Sequence, residues 1–277
     1  MSHSVVDANG LRFVYLAWGE GPLVLALHGF PDTPHTWDVI GPAIAAKGFR
    51  VVAPFLRGYA PSGALARDTT PRDLGEDTLA LMTALGAQRA HLVGHDWGAE
   101  AVYAAVGLAP ERVITLTAIG IPHRAAVRPT PKLGWALRHF ATLRLPGAEQ
   151  RFARDDFAEL EVLIRRWSPT WKFTAAELAP IKACFRSAGT VHAALGYYRA
   201  ASVFLPAFMK HRIAVPTLNF AGADDPGVSP SVYEATRTHY SGAFEVAVIP
   251  GGHFCHREAP EPLITKLLSH VERGGAA

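Results

Sequence analysis

The sequence has 277 residues, of which 49% are hydrophobic and 18% charged, and its net charge at pH 7 is +3. This composition predicts a well-cored globular protein, excludes a disordered chain and gives no basic footprint for nucleic acid. Cys184 and Cys255 have neither metal-ligand spacing nor the density of a disulfide scaffold, which predicts a reducing, cytoplasmic location. We expect no membrane partner, because the sequence shows neither a signal segment nor an apolar run of spanning length.

Strands and helices alternate over the first 119 residues. Strands are predicted at 11–18, 23–27, 49–53, 90–93 and 113–119. Helices are predicted between them at 37–47, 71–85 and 99–108. Such an alternation folds through right-handed crossovers into a mostly parallel sheet.

Between residues 122 and 212 the strand signals vanish and helical patterns take over. Segments that begin at Asp156 and Thr174 each resemble a capping box, the signature of a helix N-terminus. Strand patterns then return at 215–221 and 244–249, with helices near 232–238 and 262–271. The chain therefore predicts a core domain of residues 1–121 and 213–277, with residues 122–212 as a helical cap domain, or lid.

The stretch 94–98, Gly-His-Asp-Trp-Gly, lies between a predicted strand and a predicted helix. Gly-x-nucleophile-x-Gly in that position is typical of a nucleophile elbow, although the same letters also occur in ordinary turns. Here the central residue is Asp96. A carboxylate that attacks an sp³ carbon forms an ester, which water can hydrolyse, whereas a serine would form a stable ether. Asp96 therefore indicates substitution at carbon rather than acyl transfer.

Two more polar stretches follow predicted strands. They are Gly-Ala-Asp-Asp-Pro at 222–226 and Gly-Gly-His-Phe at 251–254. The chain order Asp96, Asp225, His253 is nucleophile, acid, histidine, and all three positions follow strands, where sites in parallel sheets belong. His253 would deprotonate a water molecule and Asp225 would orient the imidazole, with Asp224 as the alternative acid that the spacing disfavours.

Together with His-Gly-Phe-Pro-Asp at 28–32, these motifs resemble the α/β-hydrolase-fold epoxide hydrolases and are similar to haloalkane dehalogenases. The resemblance implies an α/β-hydrolase fold, in which helices flank a mostly parallel sheet and a helical cap is inserted after the sixth strand. It implies that an epoxide and water give a vicinal diol through an ester on Asp96, with no cofactor. The aromatic residues and leucines of the lid predict an apolar pocket, and hence a small hydrophobic epoxide. The resemblance also implies that the backbone amides of Phe30 and Trp97 form the oxyanion hole. The other histidines show no metal-ligand spacing, so no metal is expected.

The resemblance further implies two hydrogen-bond donors in the lid for the epoxide oxygen. The segment 194–199, which ends in Tyr-Arg, nominates Tyr198, while Tyr197 is expected to pack elsewhere. Counting back from Pro-Gly at 146–147, the second tyrosine position holds His139, whose imidazole N–H could serve instead.

Three questions stay open on the sequence. A haloalkane or haloacid dehalogenase would use the same Asp96 but would need a second halide donor, such as a lid tryptophan. The lid tryptophans Trp135, Trp167 and Trp171 are predicted pocket residues that could supply it. A ligand receptor on this fold would bind without turnover. A homodimer is as open as a monomer, because nothing in the sequence decides the oligomeric state.

Overall fold

A computed structural model describes residues 3–64, 66–127 and 130–275, and within them eight strands form one sheet. The strands are Ser4–Ala8 (β1), Leu11–Trp18 (β2), Leu23–Leu27 (β3), Arg50–Pro54 (β4), Ala90–His95 (β5), Val113–Ile119 (β6), Thr217–Gly222 (β7) and Phe244–Ile249 (β8). Their order is β1-β2-β4-β3-β5-β6-β7-β8. The pairs β1–β2 and β2–β4 are antiparallel and the other neighbours are parallel, so the predicted mostly parallel sheet is confirmed.

Helices lie between the strands and in one long insertion. The α-helices are Ile40–Ala45 (α1), Pro71–Ala84 (α2), Trp97–Leu108 (α3), Pro131–Ala136 (α4), Arg138–Thr142 (α5), Ala148–Trp167 (α6), Ala175–Arg186 (α7), Thr190–Ala200 (α8), Pro230–Ala235 (α9), Cys255–Glu258 (α10) and Pro260–Gly275 (α11). Short 3-10 turns occur at Pro34–Trp37, Pro110–Arg112, Arg124–Ala126, Ala207–Met209 and Arg237–His239.

The two faces of the sheet are covered by different helices. On one face α1 and α11 meet, and their Ile44 and Leu267 share an apolar cluster with Val93 of β5. On the other face α2 and α3 meet, and Leu81 shares a second cluster with Leu92 of the same strand. Successive residues of a strand point to opposite faces, so a strand covered on both sides must be apolar throughout. This explains the continuous apolar runs of the central strands.

The insertion follows the sixth strand, as expected, and the described residues between β6 and β7 form helices but no strand. Its helices α6, α7 and α8 contact one another and bury Phe152, Phe157 and Phe185. These rings belong to the same apolar cluster as the α2–α3 face of the sheet. The division of the chain into a core domain and a cap domain therefore stays a prediction. None of the helices described is both long and apolar enough to cross a membrane.

Three local predictions were wrong or incomplete. The edge strand β1 was not predicted. The helix expected over 37–47 begins only at Ile40, because Pro42 has no N–H and is tolerated only in the first turn of a helix. The predicted capping box at Thr174 is confirmed by reciprocal hydrogen bonds with Glu177. The one at Asp156 is absent.

Asp156 lies at a break in α6, where residues 154–157 leave the helical conformation. Its carboxylate accepts hydrogen bonds from Lys182 and Arg186 of α7, at 3.2 and 2.5 Å. The side chain is thus used in ion pairs between helices rather than on the backbone of its own helix.

Candidate active site

The elbow predicted at residues 94–98 lies between the end of β5 and the start of α3. Asp96 has φ 51° and ψ −116°, a conformation that L-residues rarely adopt and that is typical of strained functional positions. A Cβ on Gly94 would lie 2.1 Å from the carbonyl oxygen of Gly98, and a Cβ on Gly98 would lie 2.1 Å from that of Leu27. Both positions therefore require glycine, and the turn fixes Asp96 at the carboxyl end of the strand.

The structure brings His253 between the two predicted carboxylates. Its Nε2 lies 3.4 Å from Oδ2 of Asp96, and its Nδ1 lies 3.6 Å from Oδ2 of Asp225. The other oxygen of Asp225 accepts hydrogen bonds from the amides of Gly227 and Val228, at 2.7 and 3.1 Å, which orient the carboxylate. Asp225 is buried and faces the imidazole.

The alternative acid, Asp224, is exposed to solvent. Its own N–H donates to the carbonyl of Gly251, and its carboxylate accepts a long hydrogen bond from the amide of the same glycine. Asp224 thus supports the loop that carries His253 and does not contact the imidazole.

The backbone of His253 is held from two sides. Its N–H donates to the carbonyl of Trp167 at 2.9 Å, and its carbonyl accepts a hydrogen bond from Nε2 of His95 at 3.0 Å. Trp167 ends α6 of the insertion, whereas His95 directly precedes Asp96 in the elbow. The histidine loop is therefore tied both to the helical insertion and to the turn that carries Asp96, which the sequence did not reveal.

The charges in this group shift the pKa values of both partners. Burial alone would raise the pKa of Asp96, but the hydrogen bond and charge of His253 outweigh it and lower the pKa to about 2. Burial alone would lower the pKa of His253, but the carboxylates of Asp225 and Asp96 raise it from 6.5 to about 10. Both shifts favour the ion pair between the Asp96 carboxylate and the His253 imidazolium.

The backbone amides expected in the oxyanion hole lie beside Asp96. The N–H of Phe30 donates to Oδ1 of Asp96 at 2.8 Å. A Cβ on Gly29 would lie 2.4 Å from the Cβ of Asp96, so only glycine lets this loop approach so closely. Trp97 is the first residue of α3, where a backbone N–H has no carbonyl partner within the helix.

Tyr198 is buried above the elbow. Its ring centroid lies 5.1 Å from that of Phe30 and 5.2 Å from that of Trp97. Burial and the negative charge of Asp96 raise its pKa well above the usual value, so the phenol keeps its proton at neutral pH. The ring of its neighbour Tyr197 also contacts Trp97, with 5.5 Å between centroids, but its hydroxyl donates to the carbonyl of Arg57 at 2.8 Å, so Tyr197 has a packing role, as predicted.

His139 lies next to Tyr198, with 5.7 Å between the ring centroids. Burial lowers its pKa from 6.5 to about 4, so the imidazole is neutral at pH 7. Its Nδ1 lies 3.2 Å from the carbonyl oxygen of Ala136. Because a carbonyl can only accept, Nδ1 carries the proton and Nε2 has none to donate. In this arrangement the N–H of His139 already donates to the carbonyl of Ala136 and is not free to bind an epoxide oxygen.

A cavity of about 520 Å³ lies above Asp96, between the sheet edge and the insertion. Its floor includes Asp225 and His253, and its walls include His139, Phe140 and Trp167. Most of the remaining wall is apolar and comes from the segments around α4 and between α8 and β7. A cavity of this size and character suits a small hydrophobic ligand.

Of the three lid tryptophans predicted to line the pocket, only Trp167 does so. The prediction was wrong for Trp135, whose side chain is 70% exposed and lies beneath the guanidinium of Arg138. It was also wrong for Trp171, which is buried against Phe254 rather than against the cavity. Helical spacing identifies a buried face but not the neighbour that the face meets.

Charged residues that the sequence did not suggest also line the cavity. Glu100 is buried one turn after Asp96 and accepts two hydrogen bonds from Arg124. Arg124 also donates to the carbonyl of Ser202 at 3.0 Å, so the pair links α3 to the segment after α8. A signal for Glu100 existed in the sequence, since it is the only charged residue in a helix of small and apolar residues.

One buried group of metal-ligand side chains occurs in the described part of the chain. Asp32, His95 and His256 each place a ligand atom within 4.8 Å of the others. None of the three lines the cavity, and the guanidinium of Arg257 already lies 3.8 Å from Asp32. The group thus has a positive partner and lies outside the space open to a substrate.

Residues 22–260 match the family model of the alpha/beta hydrolase fold. The chain belongs to the α/β-hydrolase fold family. In this family the nucleophile elbow and the strand-end acid and histidine lie at one edge of the sheet. Asp96, Asp225 and His253 occupy that edge here.

Individual members of the α/β-hydrolase family resemble the chain over most of its length. An AB hydrolase superfamily protein of Bacillus subtilis is 28% identical over 96% of this chain and 96% of its own length. Epoxide hydrolase 4 of Mus musculus is 29% identical over 92% of this chain and 75% of its own length. The crystal structure of an epoxide hydrolase from Vigna radiata superposes with a TM-score of 0.83 at 25% identity and covers 98% of each chain.

The elbow geometry predicts that Gly98→Ala lowers the free energy of unfolding by about 3 kcal/mol or more, because the new Cβ would overlap the Leu27 carbonyl. The matched control is Gly134→Ala in α4, where a Cβ meets nothing within 4 Å. There the stability should stay the same or rise by up to about 1 kcal/mol. Urea unfolding measures both, and equal stabilities would contradict the tight fit at Gly98.

The ion pair predicts that Asp96→Asn lowers the pKa of His253 from about 10 towards 6.5, because one of the two carboxylates loses its charge. Histidine ring protons followed by NMR during a pH titration measure the change. A raised pKa also stabilises the fold below pH 6.5, and this contribution is lost as the pH rises through about 10. The variant should lose part of this pH dependence.

The control for this titration is Asp224→Asn. The exposed carboxylate of Asp224 bonds to the loop backbone, so its neutralisation should leave the pKa of His253 near that of the unmodified protein. An unchanged pKa in Asp96→Asn, or an equal drop in both variants, would contradict the described pairing.

Proposed function

We propose that this protein is an epoxide hydrolase that adds water to a small hydrophobic epoxide and releases a vicinal diol without a cofactor. The observation that carries the proposal is a carboxylate, Asp96, at the nucleophile elbow, next to His253 and the amide of Phe30. Only a carboxylate nucleophile forms an adduct with an sp³ carbon that water can then hydrolyse. The relatives and the structural neighbour that bear the name epoxide hydrolase support the same reaction.

In the first step Asp96 attacks a ring carbon of the epoxide. Its pKa of about 2 keeps it ionised at neutral pH. Because Oδ1 accepts the hydrogen bond from Phe30, we assign the attack to Oδ2, which leaves Oδ1 as the carbonyl oxygen of the ester. The ring C–O bond breaks and its electron pair stays on the epoxide oxygen.

Tyr198 then gives its proton to the epoxide oxygen. It is buried beside Trp97, and its raised pKa means that the phenol is intact when the oxygen develops its charge. His139 could contribute an N–H only after taking up a second proton or releasing its bond to Ala136. We therefore propose Tyr198 as the principal donor.

The second step uses the change in charge that the first step causes. Esterification removes the negative charge of Asp96, so His253 faces only Asp225 and its pKa falls. The proton released from His253 can return to Tyr198 through solvent. His253, now neutral, takes a proton from water as the hydroxide attacks the ester carbonyl, and the amides of Phe30 and Trp97 bind the oxyanion.

Collapse of the resulting tetrahedral intermediate breaks the bond between its central carbon and Oδ2, so the diol leaves with an oxygen that belonged to Asp96. The leaving alkoxide takes the proton from His253. The regenerated carboxylic acid, with its low pKa, then returns its own proton to His253 and restores the ion pair. Atoms and charges balance over the cycle.

Intact-protein mass spectrometry on His253→Gln tests the proposal. The variant should form the ester on Asp96 but hydrolyse it slowly, because it has no base for the second step. An aryl epoxide should add its whole mass, and peptide mapping should place the adduct on Asp96. The double variant Asp96→Asn, His253→Gln is the control and should stay unmodified. Absence of any adduct, or an adduct at another residue, would overturn the proposal.

A haloalkane dehalogenase is the second candidate, and one observation favours it. Trp167 lies on the cavity wall, and its ring centroid is 5.7 Å from that of His253, so a lid tryptophan does approach the site. A haloalkane offered to the same variant would then add only its alkyl group to Asp96 and release halide. That result in place of the epoxide adduct would assign the protein to the dehalogenases.

The role of Tyr198 predicts that Tyr198→Phe lowers kcat for diol formation by about 100-fold or more, because the epoxide oxygen loses its proton donor. Tyr197→Phe is the matched control. Its hydroxyl bonds to the Arg57 carbonyl, so its loss should cost about 1 kcal/mol of stability and leave kcat within about threefold. Steady-state kinetics on an aryl epoxide measure both. Equal kcat values would contradict the role of Tyr198.

A further inference from the structure

Exposed apolar side chains gather where the cavity opens. Among the described residues, nine large hydrophobic side chains are exposed, and five of them belong to two short cap segments, 135–145 and 203–204. These five, called the rim from here on, are Trp135 (70% exposed), Leu137 (41%), Leu145 (55%), Val203 (92%) and Phe204 (82%). A contiguous exposed apolar patch is unusual for a monomeric protein and marks a surface that meets something apolar.

Contacts join the two rim segments around one opening. Leu137 and Val203 both line the catalytic cavity, so they border the same space. Arg144, which precedes Leu145, donates a hydrogen bond to the carbonyl of Ala201 and another, at 2.5 Å, to that of Tyr198. The two rim segments are therefore joined to each other and both border the cavity.

The rim is also basic. Its two segments, 135–145 and 203–204, contain Arg138 and Arg144 and no Asp or Glu. The rim segments therefore carry positive and no negative side chains. The guanidinium of Arg138 lies 4.3 Å from the ring centroid of the exposed Trp135, so a cation and an apolar ring are presented together. This mixture matches an anionic lipid surface, where rings insert between acyl chains and cations meet phosphates.

We propose that the rim docks on an anionic phospholipid membrane, so that apolar ligands enter the cavity directly from the bilayer. Only the identity of the ligand as an epoxide rests on the proposed function. A bilayer suits this surface better than a second copy of the chain, because a copy seated on the rim would cover the opening and exclude substrate. The expectation of no membrane partner came from the lack of a spanning segment in the sequence, whereas the contact proposed here is peripheral.

Co-sedimentation with vesicles tests this proposal in the absence of any epoxide, so its failure and that of the hydrolase proposal are distinguishable. The protein should bind vesicles of equimolar phosphatidylcholine and phosphatidylglycerol more tightly than vesicles of phosphatidylcholine alone. Binding should weaken in about 1 M NaCl, where the screening length is about 3 Å. Binding that is equally strong on both vesicles would overturn the electrostatic part of the proposal.

The variant Trp135→Ser, Phe204→Ser removes two rim side chains that do not line the cavity. We expect the partition onto anionic vesicles to fall by about tenfold or more. The matched control is Val5→Ser, Val248→Ser, which removes exposed apolar side chains from the edge strands β1 and β8 and should leave binding unchanged. Urea unfolding confirms that both variants are folded.

Three outcomes would overturn the proposal. These are no vesicle binding by the unmodified protein, an equal loss of binding in both double variants, and a concentration-dependent dimer that Trp135→Ser, Phe204→Ser abolishes. The last result, measured by analytical ultracentrifugation, would assign the rim to contact between copies of the chain instead.

Discussion

The ion pair between Asp96 and His253 is the interaction on which the rest of the site depends. The elbow holds Asp96 through backbone geometry that only glycine neighbours allow. His253 is held through its own backbone, by His95 on one side and Trp167 on the other. Both backbones are therefore held by contacts outside the ion pair itself. In the proposed reaction, the charge of Asp96 sets the basicity of His253, so that one histidine serves first as an imidazolium and then as a base.

The two ends of the cavity differ in character, with the reactive polar groups at its floor and apolar side chains at its opening. At the floor, the carboxylates, the imidazole and the Phe30 amide belong to the sheet edge and its loops. At the opening, exposed apolar side chains and arginines belong to the cap. Between them the Glu100–Arg124 pair links the helix after Asp96 to Ser202, the residue before the rim segment 203–204. A substrate would thus pass the Glu100–Arg124 ion pair before it reaches the carboxylates and the imidazole at the floor.

The meeting of Asp96, Asp225 and His253 could be predicted from the sequence, because each residue follows a strand and parallel strands end at one edge of a sheet. The cap could not be predicted as fully. Trp135 and Trp167 look alike in a helical pattern, but one lies on the surface and the other on the cavity wall. Which face meets which neighbour depends on how short helices pack, and local periodicity does not contain that information.

The same limit applies to hydrogen bonds that form only after folding. The sequence places His139 at the position of a lid donor, and the fold does bring it to the cavity. Its bond to Ala136 depends on the turn between α4 and α5, which no motif specifies, and that bond decides which nitrogen carries the proton. Likewise, no sequence motif specifies the backbone N–H groups that donate hydrogen bonds to Asp225, or the hydrogen bonds made by the backbone of His253.

The most direct test of the covalent account is a turnover in water enriched in the heavy oxygen isotope, followed by mass analysis of enzyme and product. With enzyme in excess over an aryl epoxide, the account predicts that the heavy oxygen appears in the carboxylate of Asp96. The first diol released then carries the enzyme's original light oxygen. Heavy oxygen in that first diol, with none in Asp96, would mean that water attacks the epoxide directly and would contradict the account.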